Sequence, residues 1–365
     1  MNYNWQQDDW PNFRYDLAEV EADLLAFADK AGQVTGTLKG LPEGVQTEAI
    51  LDLMISEAVK TSEIEGQYVS RQDVMSSIRN QLGLNATAER VADKASDGAA
   101  KLMVAVRNTW DESLAVEALF NWHVMLLSGS CNVMLGQWRT HAEPMQVVSG
   151  AVGKERVHYE APPSARVPAE MAAFVSWFND SRQKLLHAPV RAALAHLYFE
   201  SVHPFEDGNG RLGRAISEKA LSQGLGRPAL LSLSRTIEAN KSAYYEALMK
   251  AQRTNEVTPW LAYFVGVVLD AQSQAEQQVD FVLRKTKFFD RVRDQLNERQ
   301  LRVVQRMLEA GPDGFEGGMN ARKYVSLTKV SKATATRDLQ QLVDLGVFEP
   351  IGGGRSTRYA LCVLS

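Results

Sequence analysis

Two cysteines in 365 residues, Cys131 and Cys362, are too few and too far apart for a disulfide framework, and they match no zinc-ligand spacing. A reducing cytoplasm is the expected setting. An excess of one charge is lacking as well: 40 basic residues against 44 acidic ones leave a net charge of −4, with no global pull toward nucleic acid or an anionic membrane. No apolar run approaches bilayer-spanning length, and Met1 to Asp9 is polar and acidic, unlike a signal peptide. No membrane partner is expected. What is present is ordinary for a soluble globular chain, at 45% hydrophobic and 23% charged residues. The length suits one large domain with a smaller one, or three small ones.

Helical periodicity runs through most of the chain. Leu17, Val20, Leu24, Phe27, Ala28, Ala31 and Val34 share one face and end near Gly36 and Gly40, with Pro42 beyond. The aromatics ahead of them, Tyr3, Trp5, Trp10 and Phe13, form an arm expected to pack against the domain. Ile50, Leu53, Met54 and Ala58 mark a second helix that runs without a breaker to Gly66, its expected stop. Ser70 and Asp73 open a short third helix. A longer one follows through Val91, Ala95, Leu102 and Val106, and another from Asp111 through Leu119, Trp122 and Leu126. His123 lies on that last apolar face and reads as a satisfied core histidine rather than a ligand.

Between Ser128 and Pro163 the character changes. Glycines stand at 129, 136, 150 and 153, and alternation at Met145 to Ser149, answered by Arg156 to Tyr159, predicts a β-hairpin. His141 and His158 have no third ligand at metal-binding spacing, so loop or hydrogen-bonding roles are expected. Met171, Phe174, Val175 and Phe178 return to the helical period. Further on, a helix is expected to start near Thr236 and to carry Asn240, Tyr244 and Tyr245 on adjacent turns. Thr258-Pro259 opens another, apolar to Leu269 and polar from Asp270 to Val279, the kind that bridges two domains.

The chemistry concentrates in one stretch, His203-Pro204-Phe205-Glu206-Asp207-Gly208-Asn209-Gly210-Arg211-Leu212-Gly213-Arg214, set between two helical patterns. Gly208 and Gly210 let the backbone take positive φ and approach a ligand closely. The helix that follows points its first N–H groups and its positive dipole end at the same spot, making an anion cradle suited to phosphates. Arg211 and Arg214, three apart, share a face of its first turn as permanent cations. Asp207 supplies a hard oxygen where Mg²⁺ would arrive on a nucleotide's phosphates. His203 is the group there able to exchange a proton near neutral pH.

This string resembles the Fic family signature, H-x-F-x-[DE]-G-N-G-R-x-x-R, at every specified position. The resemblance implies a mostly α-helical fold, a Fic helical bundle with a β-hairpin flap, that transfers AMP from ATP to a protein hydroxyl. It makes His203 the general base, Phe205 a core anchor and Asp207 the Mg²⁺ ligand. Gly208, Asn209, Gly210 and Arg211 would hold the α- and β-phosphates, and Arg214 the γ-phosphate. Members of the kinase-like branch usually carry Lys where this chain has Gly210, so nucleotidyl transfer is favoured over phosphoryl transfer. Asn240 and Tyr244 fall where Fic proteins contact base and ribose, although tyrosines packed in a helix interface would give the same pattern. Thr61-Ser62-Glu63-Ile64-Glu65-Gly66 is similar to the family's inhibitory motif, [ST]-x-x-x-E-[GN], with Thr61, Glu65 and Gly66 in the fixed places. By resemblance, the hairpin would register a target's backbone by β-augmentation, and the opening residues are similar to an extra N-terminal domain of some bacterial members.

The end of the chain reads as a separate unit. Leu301, Val304 and Leu308 mark one helix, Ala321 to Leu327 a second, and Ser331 caps a third that Gly346 stops; Val347 to Ile351 and Thr357 to Leu361 form a hairpin. Three helices and a hairpin make a winged helix. Arg322, Lys323, Lys329, Lys332, Arg337, Arg355 and Arg358 outnumber three acidic residues between Asn320 and Arg358. With Lys332, Thr334 and Arg337 on the recognition helix, DNA and protein partners fit equally.

The expected domains are 1–110, helical with the inhibitory motif; 111–284, catalytic; and 285–365, a bridging helix and winged helix. The expected function is a cytoplasmic protein adenylyltransferase using ATP and Mg²⁺ on Ser, Thr or Tyr hydroxyls of a target or of itself, restrained by Glu65. A homodimer and DNA are further expected partners. Removal of AMP, and a nucleotide-sensing DNA-binding regulator, are the alternatives.

Overall fold

Alanine-rich and largely apolar, with Arg191, His196, Glu200 and Ser201 scattered rather than gathered on one face, the segment before His203 has no polar stripe to offer water and belongs at the centre of a helical domain. The computed structural model, which describes residues 2–130, 133–149, 156–308, 310, 314–353 and 357–362, places it there. In order the elements are α1 (Glu21–Lys39), α2 (Glu43–Ile64), α3 (Arg71–Gln81), α4 (Lys94–Asn108), α5 (Val116–Leu127), β1 (Gln146–Ser149), β2 (Arg156–Glu160), α6 (Val167–Lys184), α7 (Ala188–Val202), α8 (Asn209–Leu225), α9 (Leu233–Ala239), α10 (Lys241–Ala251), α11 (Thr258–Val292), α12 (Glu298–Leu308), α13 (Ala321–Thr328), α14 (Lys332–Asp344), β3 (Phe348–Ile351) and β4 (Arg358–Leu361). Every residue of α7 is buried. The fold is mostly helical, as expected, and no helix among the described residues is long and apolar enough to cross a membrane.

The contacts divide into two compact units. One comprises Met1–Gly32 and Ile50–Ser273, the other Gln33–Ala49 and Gln274–Ser365. In the first, the aromatic arm packs as expected: Trp10 meets Tyr198 edge-on at 5.1 Å and Tyr3 meets Tyr159 at 5.0 Å. The Asn4 amide donates to Ser201 Oγ (2.8 Å) and the Trp5 indole to the Glu160 carbonyl (2.8 Å), tying the arm to the end of α7 and to the flap. The flap itself is the antiparallel pair β1–β2, with Gln146 opposite Glu160 and a register shift between Val147 and Val148. Cys131, Gly150 and Gly153 lie outside the described residues.

Capping chemistry sets most helix ends. Ser70 Oγ accepts the Asp73 N–H (3.2 Å) and opens α3 as its spacing predicts. Two expected starts shift. Residues 109–112 close a turn, with the Glu112 N–H on the Thr109 carbonyl (3.2 Å), so α5 begins at Val116 rather than near Asp111. The helix expected near Thr236 starts at Leu233, because Ser232 Oγ caps the Arg235 N–H (3.2 Å), and it breaks at Asn240. The Asn240 side chain then accepts the Ala243 N–H (3.4 Å) and opens α10.

The second unit contains the winged helix. Phe281, Phe288 and Val292 of α11 pack with Val303, Val304, Met307, Tyr324, Leu339, Leu342 and Phe348 in one apolar core. The hairpin β3–β4 pairs Phe348 with Leu361, and Met319 bridges Tyr359 beside it. Ser331 Oγ caps α14 through the Thr334 N–H (3.2 Å). Arg355 lies outside the described residues.

Candidate active site

α7 ends on His203, whose backbone takes the left-handed conformation (φ 50, ψ 60) while its N–H reaches back to the Phe199 carbonyl (2.9 Å). The chain then loops to Gly208 (φ 84), and α8 starts at Asn209. Only glycine holds such a φ at Gly208 without strain. Phe205 pins the loop, fully buried and stacked on His123 at 4.1 Å between ring centres. His123 is satisfied as expected: Nδ1 accepts the Gly136 N–H (3.1 Å), which leaves Nε2 to donate to the Asp207 carbonyl (3.2 Å). Burial holds its pKa below the ordinary value, so the ring is neutral. The Asn209 amide turns inward, accepting the Phe205 N–H (3.0 Å) and donating to the Phe205 carbonyl (2.8 Å).

Sequence reasoning missed Arg139. Nearly fully buried, it donates from Nε to the His203 carbonyl (2.8 Å) and from Nη2 to the carbonyls of Pro162 (2.6 Å) and Val202 (3.3 Å). Its own N–H binds the Pro204 carbonyl (3.0 Å). Burial pulls its pKa to about 10, still charged near neutrality. An isolated arginine in a glycine-bearing stretch gave no signal, because its partners lie more than twenty positions away.

The charged residues of the motif converge with those expected at the end of α2. Arg211 donates to Gln67 Oε1 (2.6 Å) and Asp207 Oδ1 (3.3 Å), and that same oxygen accepts the Gly208 N–H (2.6 Å). Arg214, 1% exposed, donates from Nε to Thr61 Oγ1 (2.8 Å) and from Nη2 to the Thr61 carbonyl (2.9 Å) and to Glu65 Oε1 (2.8 Å). Burial alone would lower the Arg214 pKa, but the Glu65 carboxylate beside it holds it above its ordinary value. Glu65 is presented by a Schellman turn: the Gln67 N–H binds the Ser62 carbonyl (2.9 Å) and the Gly66 N–H the Glu63 carbonyl (3.0 Å), with Gly66 at φ 76. A Cβ on Gly210 would stand 2.3 Å from Glu65 Oε1, so the carboxylate rests directly on the first turn of α8.

Asn240 and Tyr244, the residues expected at base and ribose, stand at the start and on the buried side of α10. Asn240 uses its side chain as a cap, and Tyr244 is 1% exposed with its hydroxyl 2.8 Å from His196 Nε2. A ring so buried packs the interior; its neighbour Tyr245, 37% exposed, is the tyrosine that faces outward, its hydroxyl donating to the Ile64 carbonyl (3.4 Å). For a metal, no group of three or more His, Cys, Asp or Glu side chains stands ready among the described residues. The Asp207 carboxylate, 56% exposed, fits an ion delivered with phosphates better than an ion caged by protein.

His203 at the end of one helix, with Arg211 and Arg214 in the first two turns of the next, makes the class a helical domain with a histidine and two guanidiniums gathered at one junction between consecutive helices. Residues 113–221 match the family model "Fic/DOC family", and the chain carries a Fic/DOC domain. Residues 3–84 match "Domain of unknown function (DUF4172)", and residues 317–362 match "Transcriptional regulator DIP2311-like, C-terminal domain". Protein adenylyltransferase Fic of Drosophila grimshawi is 27% identical over 157 residues, 41% of this chain and 31% of that protein; its Drosophila virilis counterpart is 26% identical over 154 residues, 40% and 30%. The chain thus spans about a third of the length of these relatives. Among solved structures, a Fic family protein from Desulfovibrio desulfuricans shares the fold at a TM-score of 0.56 and 19% identity, covering 96% of this chain and 98% of that one. A Fic domain containing signaling protein from Bacteroides thetaiotaomicron gives 0.54 at 16% identity, over 70% and 96%.

Proposed function

We propose that this protein transfers AMP from ATP to a hydroxyl side chain of a protein, and that Glu65 restrains the reaction. The observation that carries the reading is the convergence, within one helix–loop–helix, of His203, the N–H groups that open α8, and Arg211 and Arg214. The target's hydroxyl oxygen attacks the α-phosphorus, the bond to the bridging oxygen of pyrophosphate breaks, and the hydroxyl proton passes to His203. The N–H groups of Asn209, Gly210 and Arg211, which no helix start can pair internally, hold charge on the phosphates. Mg²⁺, when bound, would be held by Asp207 and would neutralise phosphate charge. Arg214 is the residue for the γ-phosphate, yet it is paired with Glu65, and a guanidinium so engaged cannot also grip that phosphate. ATP labelled at the α-phosphate should mark the protein or an added target, and His203→Ala should lower that labelling by about a hundredfold or more. Label arriving from the γ-position instead would mean phosphorylation and end this reading.

A second activity is favoured by α14. Lys332, Thr336, Arg337 and Gln340 are exposed along it, while Asp338 is 3% exposed and bound by Arg299 Nε (3.1 Å) and the Tyr324 hydroxyl (2.9 Å). With that acid turned inward, the outer face offers cations to a phosphate backbone, and we propose that it contacts duplex DNA. The test is salt-dependent binding of duplex DNA that Lys332→Glu with Arg337→Glu abolishes. Binding unchanged in the double variant would remove α14 from the interface.

A further inference from the structure

We infer that Glu200 is a positioning residue for His203: it fixes which imidazole nitrogen carries the proton. The inference rests on the AMP-transfer reading for its purpose, but not for its geometry.

Glu200 sits on α7 one turn before His203, and its Oε2 lies 3.6 Å from His203 Nδ1. The side chain is 5% exposed, the one carboxylate in a fully buried helix whose other polar side chains are Arg191, His196, Tyr198 and Ser201. Its Oε1 and His203 Nδ1 are both buried without a hydrogen-bond partner. A buried carboxylate is costly unless something specific requires it, and an apolar side chain would pack this helix without that cost. The neighbouring helix also makes room for it. A Cβ on Gly213 would lie 2.6 Å from Glu200 Oε1 and 3.2 Å from His196 Cε1, so any larger residue would displace the carboxylate.

The groups that face Glu200 keep it charged. Burial alone would push its carboxyl up, but His203, His196 and the Arg214 guanidinium hold it below its ordinary value. Burial lowers the His196 pKa and Glu200 opposes that; its Nε2 lies 2.8 Å from the Tyr244 hydroxyl and its Nδ1 3.2 Å from Ser217 Oγ. Arg214 is shared with Glu65 on its other side. A carboxylate facing Nδ1 favours the tautomer protonated there. That leaves Nε2 with the lone pair that takes the target's proton, and it steadies the imidazolium that results. The 3.6 Å separation is an ion-pair distance, of the kind that tightens into a hydrogen bond once substrate is in place.

The test uses the full chain labelled with ¹⁵N-histidine, with His203→Asn identifying the signals of residue 203. At a pH where the ring is neutral, wild type should show His203 protonated on Nδ1, and Glu200→Gln should shift it toward Nε2 protonation. In a Glu65→Gly background, Glu200→Gln should lower kcat for AMP transfer by about tenfold to a hundredfold, with KM for ATP and Tm unchanged. Nε2 protonation in the wild type, or a tautomer unaltered by Glu200→Gln, would overturn the assignment, as would a loss confined to Tm and KM. If the tautomer shifts as expected but wild type and Glu65→Gly transfer no AMP, Glu200 keeps its place and the AMP-transfer reading fails.

Discussion

Without the Arg139 guanidinium, the buried carbonyls of Pro162, Val202 and His203 would each lose a charged donor. Unsatisfied buried acceptors are expensive, so Arg139→Met should destabilise the protein by about 2–4 kcal/mol, read as a lower Tm by calorimetry. An unchanged Tm would mean that water replaces the lost bonds. The contrast with the signature residues explains what could be read in advance. Within residues 203–214 the loop announces itself because some of its partners are local: Asn209 holds Phe205, and Asp207 holds Gly208 and Arg211. Arg139 and the pairing of Gly213 with Glu200 join distant segments, and no local spacing marks them. For Tyr244, helical spacing left a ligand contact and a packed interface both open, and packing decides that its ring turns inward.

Three helices meet through a cluster of acids and an arginine. Glu57 of α2, Arg107 of α4 and Glu218 of α8 line a cavity of about 10 Å³, enough for one water. Glu57 accepts bonds from Ser232 Oγ (2.8 Å), from the Ser234 N–H (2.9 Å) and from Ser234 Oγ, which ties α2 to the start of α9. Burial, reinforced by Glu57 and opposed by Arg107, pushes the Glu218 carboxyl up to about 8 from 4.5. A carboxyl whose pKa is higher in the folded state contributes stability that is full below 4.5 and is lost as pH rises through about 8. Glu218→Gln should therefore flatten the decline of Tm across that window and raise Tm at its alkaline end. Melting curves with the same slope for both proteins would contradict this. Helix ends at this scale were largely legible, as with Ser70, Gly66 and Ser331, because caps act within a few residues. The break at Asn240 was not, since periodicity runs across it and the asparagine's choice between continuing and capping is settled by local bonding.

At the scale of the molecule, the division between the two compact units falls within α11, between Ser273 and Gln274. The polar stretch of α11 suggests a bridge, and the expected 284/285 division falls inside that helix, whose Phe281, Phe288 and Val292 belong to the core of the second unit. A continuous helix can give its first half to one core and its last turns to another, and hydropathy does not register the change. The central claim concerns the first unit, where the end of α2 meets the start of α8. Intact-mass spectrometry of the full chain, incubated with ATP and Mg²⁺ in the presence and absence of added target proteins, tests it most directly. Glu65→Gly should acquire the mass of one AMP, or pass it to a target, about a hundredfold faster than wild type. Glu65→Gly with Arg214→Ala should show no such gain, and Glu65→Gly with His203→Ala should show no adduct. An adduct of a single phosphate, or an AMP adduct that survives His203→Ala, would contradict the account.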